Sequence, residues 1–349
     1  MIQNFYKWKK ILITGSTWFK WSWLSFWLHN IWAEVIWYGL EPNTNPNLFK
    51  ALKLDEKITQ IIWDINDIKS LEEAVDKYKP GIIFHLAAQP LVRESYKNPV
   101  YTMITNSIGT VNVLEMIRLK EYIKWAVMIT TDKVYENKEW IYPYRENDRL
   151  GWFDPYSSSK AMAEIAIESY RKSFFKNHKK VAVTRAGNVI GWWDWWDDRL
   201  LPDIIKAMMK WEKLTLRNPN AVRPWQYVLD ALCWYLILWE KMFEDDKYCG
   251  AYNFWPDIGD NLKVIDLVAA SIKILKKWEY EIDESANKWM HEAGLLLLDN
   301  TKAKTFLKWI PKYNVWETLE RTLNWYNVYY NQADKIEELS LNEINNFKL

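Results

Sequence analysis

Short apolar runs alternate, through the first half of the chain, with longer stretches whose apolar positions recur every three or four residues. The runs Lys9 to Thr14, Ala33 to Tyr38, Ile58 to Trp63, Gly81 to Leu86, Trp125 to Thr130 and Lys180 to Arg185 are too short for helices. Continuous apolar runs of that length are expected of strands buried on both faces. Between them, Ser22 to Asn30, Leu71 to Lys79, Thr105 to Leu119 and Ser157 to Phe175 read as helices, the second closed by Pro80. Strands alternating with helices predict an α/β fold with a doubly wound parallel sheet. Past about Asn188 the rhythm breaks, and loops rich in Trp, Asp, Pro and Asn separate short helices. That predicts a smaller C-terminal lobe built from insertions at the carboxyl ends of the strands. The expected division is a sheet domain over 1–187 and a lobe over 188–349, interleaved with the first. The charged tail from Ile336 is expected as a surface helix or a frayed end.

Composition narrows the picture. Net charge is +1, which leaves no basic excess to hold a polyanion, so no nucleic-acid partner is expected. Cys233 and Cys249 are the only cysteines, too few for a disulfide framework, and a reducing cytoplasm is the expected location. The N-terminus lacks the apolar run of a signal peptide. The stretch from Trp21 to Leu40 imitates a membrane span, but His29, Asn30 and Glu34 interrupt it, and a spanning helix needs about 20 predominantly apolar residues. A helix followed by a buried strand is the better reading, and no membrane partner is expected.

Two residue counts are abnormal together. Gly supplies 10 of 349 residues and Trp 25, whereas Gly ordinarily makes up about 7% of a chain. Moving about 15 of the Trp positions to Gly would restore that level. Trp18, Trp21, Trp152, Trp192, Trp193 and Trp255 all stand in turn contexts, where backbone often needs a positive φ or close approach. A gene in which UGA encodes glycine, read with tryptophan at those codons, accounts for both counts. Trp23, Trp27, Trp140, Trp195, Trp225, Trp309 and Trp325 instead fit amphipathic positions and are expected as true tryptophans.

Three motifs carry chemistry. Thr14-Gly15-Ser16-Thr17-Trp18-Phe19-Lys20-Trp21 follows a strand and precedes a helix. With Gly at 18 and 21 it becomes T-G-x-x-G-x-x-G, a loop that turns tightly, lets backbone approach a pyrophosphate and packs helix on strand. Tyr156-Ser157-Ser158-Ser159-Lys160 sets a phenol and an ammonium on one helical face, where the cation favours phenolate and makes the tyrosine a base. Thr130-Thr131-Asp132-Lys133 closes the fifth strand, at the end where such sheets place active-site residues.

In that order and spacing the motifs resemble the sugar-nucleotide 4,6-dehydratases of the extended short-chain dehydrogenase type. The Asp-Lys at 132–133 is similar to the CDP-glucose branch, where many relatives carry Asp-Glu. H-L-A-A-Q-P-L-V-R at 85–93, R-A-G-N-V-I-G at 185–191 and R-N-P-N-A-V-R-P-W-Q at 217–226 extend the resemblance over almost the whole chain. It implies a Rossmann domain, NAD as cofactor, a nucleotide-hexose substrate and a homodimer or homotetramer. It also implies roles. Tyr156 with Lys160 takes the proton from the carbon 4 hydroxyl, which Thr131 orients. Asp132 is the acid for the carbon 6 hydroxyl and Lys133 the base at carbon 5, or an electrostatic support for the enolate. Cofactor contacts fall on Gly15, Thr17, Trp18, Phe19, Trp21, Asp64, Ile65, Leu86, Ala87, Ala88, Asn106, Tyr156 and Lys160. Substrate contacts fall on Gln89, Asn188, Arg199, Arg217 and Arg223. No Arg follows the second strand to meet a 2′-phosphate, which favours NAD over NADP. The rivals are a 4-epimerase, which has no need of Asp132-Lys133, and an inactive NAD-binding protein whose loop truly carries Trp. No metal is expected.

Overall fold

The computed structural model describes residues 2–347, apart from 16–18, 43, 176–177, 193, 196–198, 211, 276–278 and 284–292. Its centre is a sheet of seven parallel strands: β1 (Lys10–Thr14), β2 (Glu34–Gly39), β3 (Thr59–Ile62), β4 (Ile82–His85), β5 (Trp125–Ile129), β6 (Lys180–Ala186) and β7 (Gly250–Phe254). The spatial order is β3-β2-β1-β4-β5-β6-β7. The chain winds outward first on one side of β1 and then on the other, so a crevice opens where β1 and β4 part. Six strands lie within two residues of their sequence-expected limits. The seventh, a five-residue run after the expected boundary at 187, was hidden inside the irregular half.

Alternation along the strands divides the core. Ile11, Ile13, Val35, Trp37, Val127 and Ile129 face one side, and Leu12, Ile36, Tyr38, Ala126 and Met128 the other. On the first face pack α1 (Phe19–Asn30), α5 (Val228–Glu244) and α6 (Val315–Asn331). On the second pack α2 (Ile68–Tyr78), α3 (Gly109–Leu119) and α4 (Pro155–Ser173). Both faces are therefore covered, which is why the strands read as unbroken apolar runs. The start of the expected 105–119 helix is a π turn, Ile104–Ile108, which runs directly into α3.

The lobe consists of short pairings above the strand ends. Val189–Ile190 pairs with Gln226–Tyr227, Val222–Pro224 with Asn261–Lys263, and Leu214–Leu216 with Tyr280–Ile282. Because α5 and β7 return to the sheet, residues beyond 188 serve both parts. The tail is ordered as α7 (Ile336–Asn346), with Ile336 and Ile344 buried and Phe347 edge-on to Trp27 at 5.9 Å. The apparent membrane stretch is α1 plus β2, and among the described residues no helix is long and apolar enough to cross a membrane.

Two tryptophans sit in left-handed backbone, Trp8 at φ 63° and Trp32 at φ 67°. They flank the base of the sheet, joined by Trp8 N–H donating to Trp32 C=O at 2.8 Å, and both rings are largely in solvent, 72% and 64% exposed. Trp21, where the motif would use glycine to pack helix on strand, is accommodated at that joint. Its indole lies flat on Trp37 at 5.1 Å, against Phe49, although its N–H finds no acceptor among the described residues.

Candidate active site

One cavity lies above the carboxyl ends of β1, β4, β5 and β6, roofed by the lobe. It is lined by Lys20, Trp21, Leu86, Ala88, Thr131, Asp132, Lys133, Tyr156, Lys160, Asn188, Arg199, Arg217 and Arg223 among others. All five residues expected in catalysis, and four of the five expected on substrate, thus meet in one place.

The catalytic elements are fixed locally. Asp154 caps α4 by accepting from Ser157 N–H at 2.8 Å and Ser157 Oγ–H at 2.6 Å, with Pro155 at the first helical position. That pins the helix start one residue before Tyr156. Lys160, one turn on, donates to the Ile129 carbonyl at 3.5 Å, at the end of β5. Thr131 begins a 3₁₀ turn, Asp132–Val134, and its hydroxyl donates to Asp132 Oδ1 at 2.8 Å.

Electrostatics separate the titrating groups. Burial pushes the Asp132 carboxyl up, against the opposing pull of Lys133, Thr131 and Arg223. That is the direction a proton donor needs. Burial also pushes the Tyr156 phenol up, outweighing the hydrogen bond with Thr131 and the pull of Arg199, while Asp132 and Asp154 add to the rise. Burial is thus the largest influence on the phenol, and the Lys160 ammonium is turned to a strand carbonyl. Lys160 is lowered to about 8 by burial and by Lys20, with Glu164 opposing. Lys20 is lowered to about 8 by burial and Arg199, with Asp194 and Asp132 opposing.

Other expected residues are placed differently. Gln89, expected on substrate, spends its amide on Thr102 Oγ1 at 2.8 Å and on the Leu91 carbonyl and N–H. Asn106, expected on cofactor, bonds both backbone groups of Gln89, at 2.7 and 2.9 Å, and Ser159 Oγ at 2.8 Å. Both brace the loop after β4 against α4 instead of facing the cavity. Phe19 and Ala87 are buried in the core. Asp64 and Ile65 lie beyond β3, away from this cavity; Asp64 accepts from Asn66 N–H at 2.9 Å, and Ile65 packs beside Gly109. Thr17 and Trp18 fall outside the described residues. Sequence reasoning missed Lys20, although it stands within the phosphate-loop motif, and Arg93, which also lines the cavity.

NAD can be tested against the residues present. Gly15, at φ 142°, closes β1 so near β4 that a Cβ would come within 3.2 Å of the Leu86 and Ala87 backbone. At Gly39 a Cβ would meet the Gly15 carbonyl at 1.9 Å. The crossover between β1 and β4 thus keeps bare backbone at the crevice, followed by the N-terminus of α1, and these features fit a dinucleotide.

A doubly wound sheet with a Tyr and a Lys one turn apart at its strand ends, and a strand-end Thr facing them, defines an enzyme of the short-chain dehydrogenase fold. The chain belongs to the GDP-mannose 4,6 dehydratase family, whose model matches residues 12–322. It is 38% identical to the CDP-glucose 4,6-dehydratase of Salmonella typhimurium, over 96% of this chain and 95% of that protein. It is 24% identical to the dTDP-glucose 4,6-dehydratase of Shigella flexneri, over 78% and 80%. Among solved structures, the dTDP-glucose 4,6-dehydratase of Bacillus anthracis in complex with NAD has the same fold, with TM-score 0.76, 23% identity, and 94% and 99% of the two chains covered. So does the UDP-glucose 4-epimerase of Thermotoga maritima with UDP-glucose, at TM-score 0.78, 22% identity, and 92% and 99% covered.

Proposed function

We propose that the protein is an NAD-dependent hydro-lyase that converts CDP-glucose to CDP-4-keto-6-deoxyglucose. The observation that carries the reading is the meeting of Tyr156 and Lys160 with Asp132 and Lys133 in one cavity. The 38% identity over 96% of the chain supports the cytidine nucleotide.

Bound at the β1–β4 crevice, NAD supplies a hydride acceptor for carbon 4 and a hydride donor for carbon 6. Tyr156 takes the carbon 4 hydroxyl proton while Thr131 orients that hydroxyl. The buried Asp132, whose carboxyl burial pushes up, gives a proton to the departing carbon 6 hydroxyl. Lys133, in its neutral form, takes the carbon 5 proton and, once charged, steadies the enolate that results. One water leaves and no reductant is consumed. Arg199, Arg217, Arg223 and Asn188 border the same cavity, where guanidinium groups suit a diphosphate. A homodimer or homotetramer in the cytoplasm completes the proposal; sedimentation of the purified protein checks the assembly, and cell fractionation the location.

The test is incubation with CDP-, dTDP- and GDP-hexoses, followed by mass spectrometry. Loss of water from CDP-glucose is expected, and absence of water loss from every hexose removes the reading. A product of unchanged mass with an inverted carbon 4 would establish the 4-epimerase instead.

We also propose that Trp8, Trp18, Trp21 and Trp32 stand at glycine positions of the gene as its own cell reads it. The left-handed backbone at Trp8 and Trp32 supports this, since glycine adopts that conformation without the strain a bulky side chain brings. The codons decide: UGA at 8, 18, 21 and 32, with UGG at 23 and 225, is expected. UGG throughout removes the proposal.

A further inference from the structure

Behind the cavity lies a buried ion pair that the proposed mechanism does not use. Glu164 is two turns beyond Tyr156 on α4, so Tyr156, Lys160 and Glu164 occupy one helical face, and all three are buried. Arg185, on β6, donates to both Glu164 oxygens, through Nε at 2.9 Å each and through Nη2. Thr130 Oγ–H donates to Glu164 Oε1 at 2.5 Å. Arg185 Nη1–H reaches the other way, to Tyr135 Oη at 2.6 Å and the Glu146 carbonyl at 3.0 Å. Tyr135 in turn donates to Asn253 Oδ1 at 2.6 Å, on β7.

The two residues gripped, Thr130 and Tyr135, are the ones that bracket the turn carrying Thr131, Asp132 and Lys133. Both ends of that turn are thus tied to one ion pair, and the pair is built into the helix that carries Tyr156 and Lys160. A buried pair of charges is poor evidence of stability by itself, because desolvation offsets most of the attraction. Its geometry here answers a different need. The proposed proton transfers require groups from a strand end and from a helix to keep a fixed separation, and misplacement by about 1 Å costs about 10²-fold in rate.

We propose that Glu164, clamped by Arg185, is a positioning residue for the reaction, holding the Tyr156–Lys160 helix against the Thr131–Asp132 turn and serving as counter-ion to Lys160. The inference rests on the catalytic reading given above. Lys160 faces Lys20 from α1, His85 from β4, and Tyr156 and Glu164 from its own helix. His85 is lowered to about 3 by burial and by Lys160, and is therefore neutral. Glu164 is the anion acting to keep the Lys160 proton, against burial and Lys20.

The experiment is single-turnover oxidation of CDP-glucose by holoenzyme, followed across pH through the absorbance of the reduced cofactor. E164Q keeps the shape and can still accept from Thr130, but carries no charge. About 10²-fold slower oxidation is expected, with KM for CDP-glucose little changed. The alkaline limb should move to lower pH by about one unit, the low end of what a nearby charge does. T130V removes the hydroxyl's bonds to Glu164 and to the Thr184 carbonyl but keeps the Glu164 charge, so it should slow oxidation and leave the limb in place. If E164Q fails to fold, the double variant E164L/R185M strands neither charge and should reproduce both the slowing and the moved limb. Folded variants with wild-type rate and limb overturn the proposal. Y156F, run alongside, separates this failure from failure of the catalytic reading. If Y156F turns over like wild type, the reading itself falls; if Y156F is inactive and the Glu164 variants are normal, only the positioning role falls.

Discussion

At the scale of single residues, burial is the dominant force in the cavity, and it sets testable pH behaviour. Lys160 and Lys20 are lowered to about 8, first by burial. An ammonium with a lowered pKa is neutral above that value, so oxidation that needs the Lys160 cation should decline as pH rises through about 8. The same lowering means the unfolded chain binds more protons than the folded one between about 8 and the usual lysine value, so stability should rise with pH over that window. Unfolding by urea at pH 8 and pH 10 measures the second effect, and pH-resolved single turnovers measure the first. Asp132→Asn should uncouple the half-reactions, because departure of the carbon 6 hydroxyl needs the acid and oxidation at carbon 4 does not. Reduced cofactor should accumulate while formation of 6-deoxy product falls by about 10²- to 10⁴-fold, read by absorbance beside mass spectrometry; an unchanged overall rate would assign the proton to another group. Spacing and strand-end position in the sequence were enough to group Tyr156, Lys160, Thr131 and Asp132, and all four line one cavity. The sequence locates Gln89 and Asn106 on the chain but does not say which way an amide points, which hydrogen bonds with Leu91, Thr102 and Ser159 decide. It overlooked Lys20 because the glycine pattern explains the loop without it.

At the scale of elements, the buried strands were readable to within two residues, since a strand covered on both faces leaves an uninterrupted apolar signature. β7 was not, because five residues of G-A-Y-N-F do not stand out among aromatic loops. The π turn at Ile104–Ile108 was invisible for a different reason: it differs from an α-helix in hydrogen-bond register and not in apolar spacing. The turns at the ends of β1 and α1 contain a local conflict that the apolar pattern never registers. Trp8 and Trp32 carry bulky side chains on left-handed backbone, a conformation that costs roughly 1–2 kcal/mol per residue for a residue other than glycine. Their rings are mostly solvated, so little packing is lost by removing them. Trp8→Gly and Trp32→Gly should therefore each raise stability by about 1 kcal/mol, seen as a higher urea midpoint with unchanged slope. A lower midpoint would mean that these turns are supported by contacts of the indoles.

At the scale of the whole molecule, the chain passes from the sheet into the lobe and back again. The lobe beyond 188 supplies Asn188, Arg199, Arg217 and Arg223 to the cavity and then sends α5 and β7 back to complete the sheet. Such crossing follows from building a lobe out of loops at strand ends: each loop must return to the layer it left. The parallel, doubly wound sheet was implied by the alternation of strands and helices, but the closure of the lobe over the crevice depends on long-range pairings such as Val222–Pro224 with Asn261–Lys263, which no local pattern announces. The left-handed turn at Trp8 has a consequence for heredity. If its codon is UGA, a cell using the standard code takes it as a stop and releases a seven-residue peptide, ending before β1 begins. The gene would then be mute in any recipient with ordinary decoding. It could pass usefully only between cells sharing the altered tRNA, and recombinant production would depend on rewriting codon 8 before anything else.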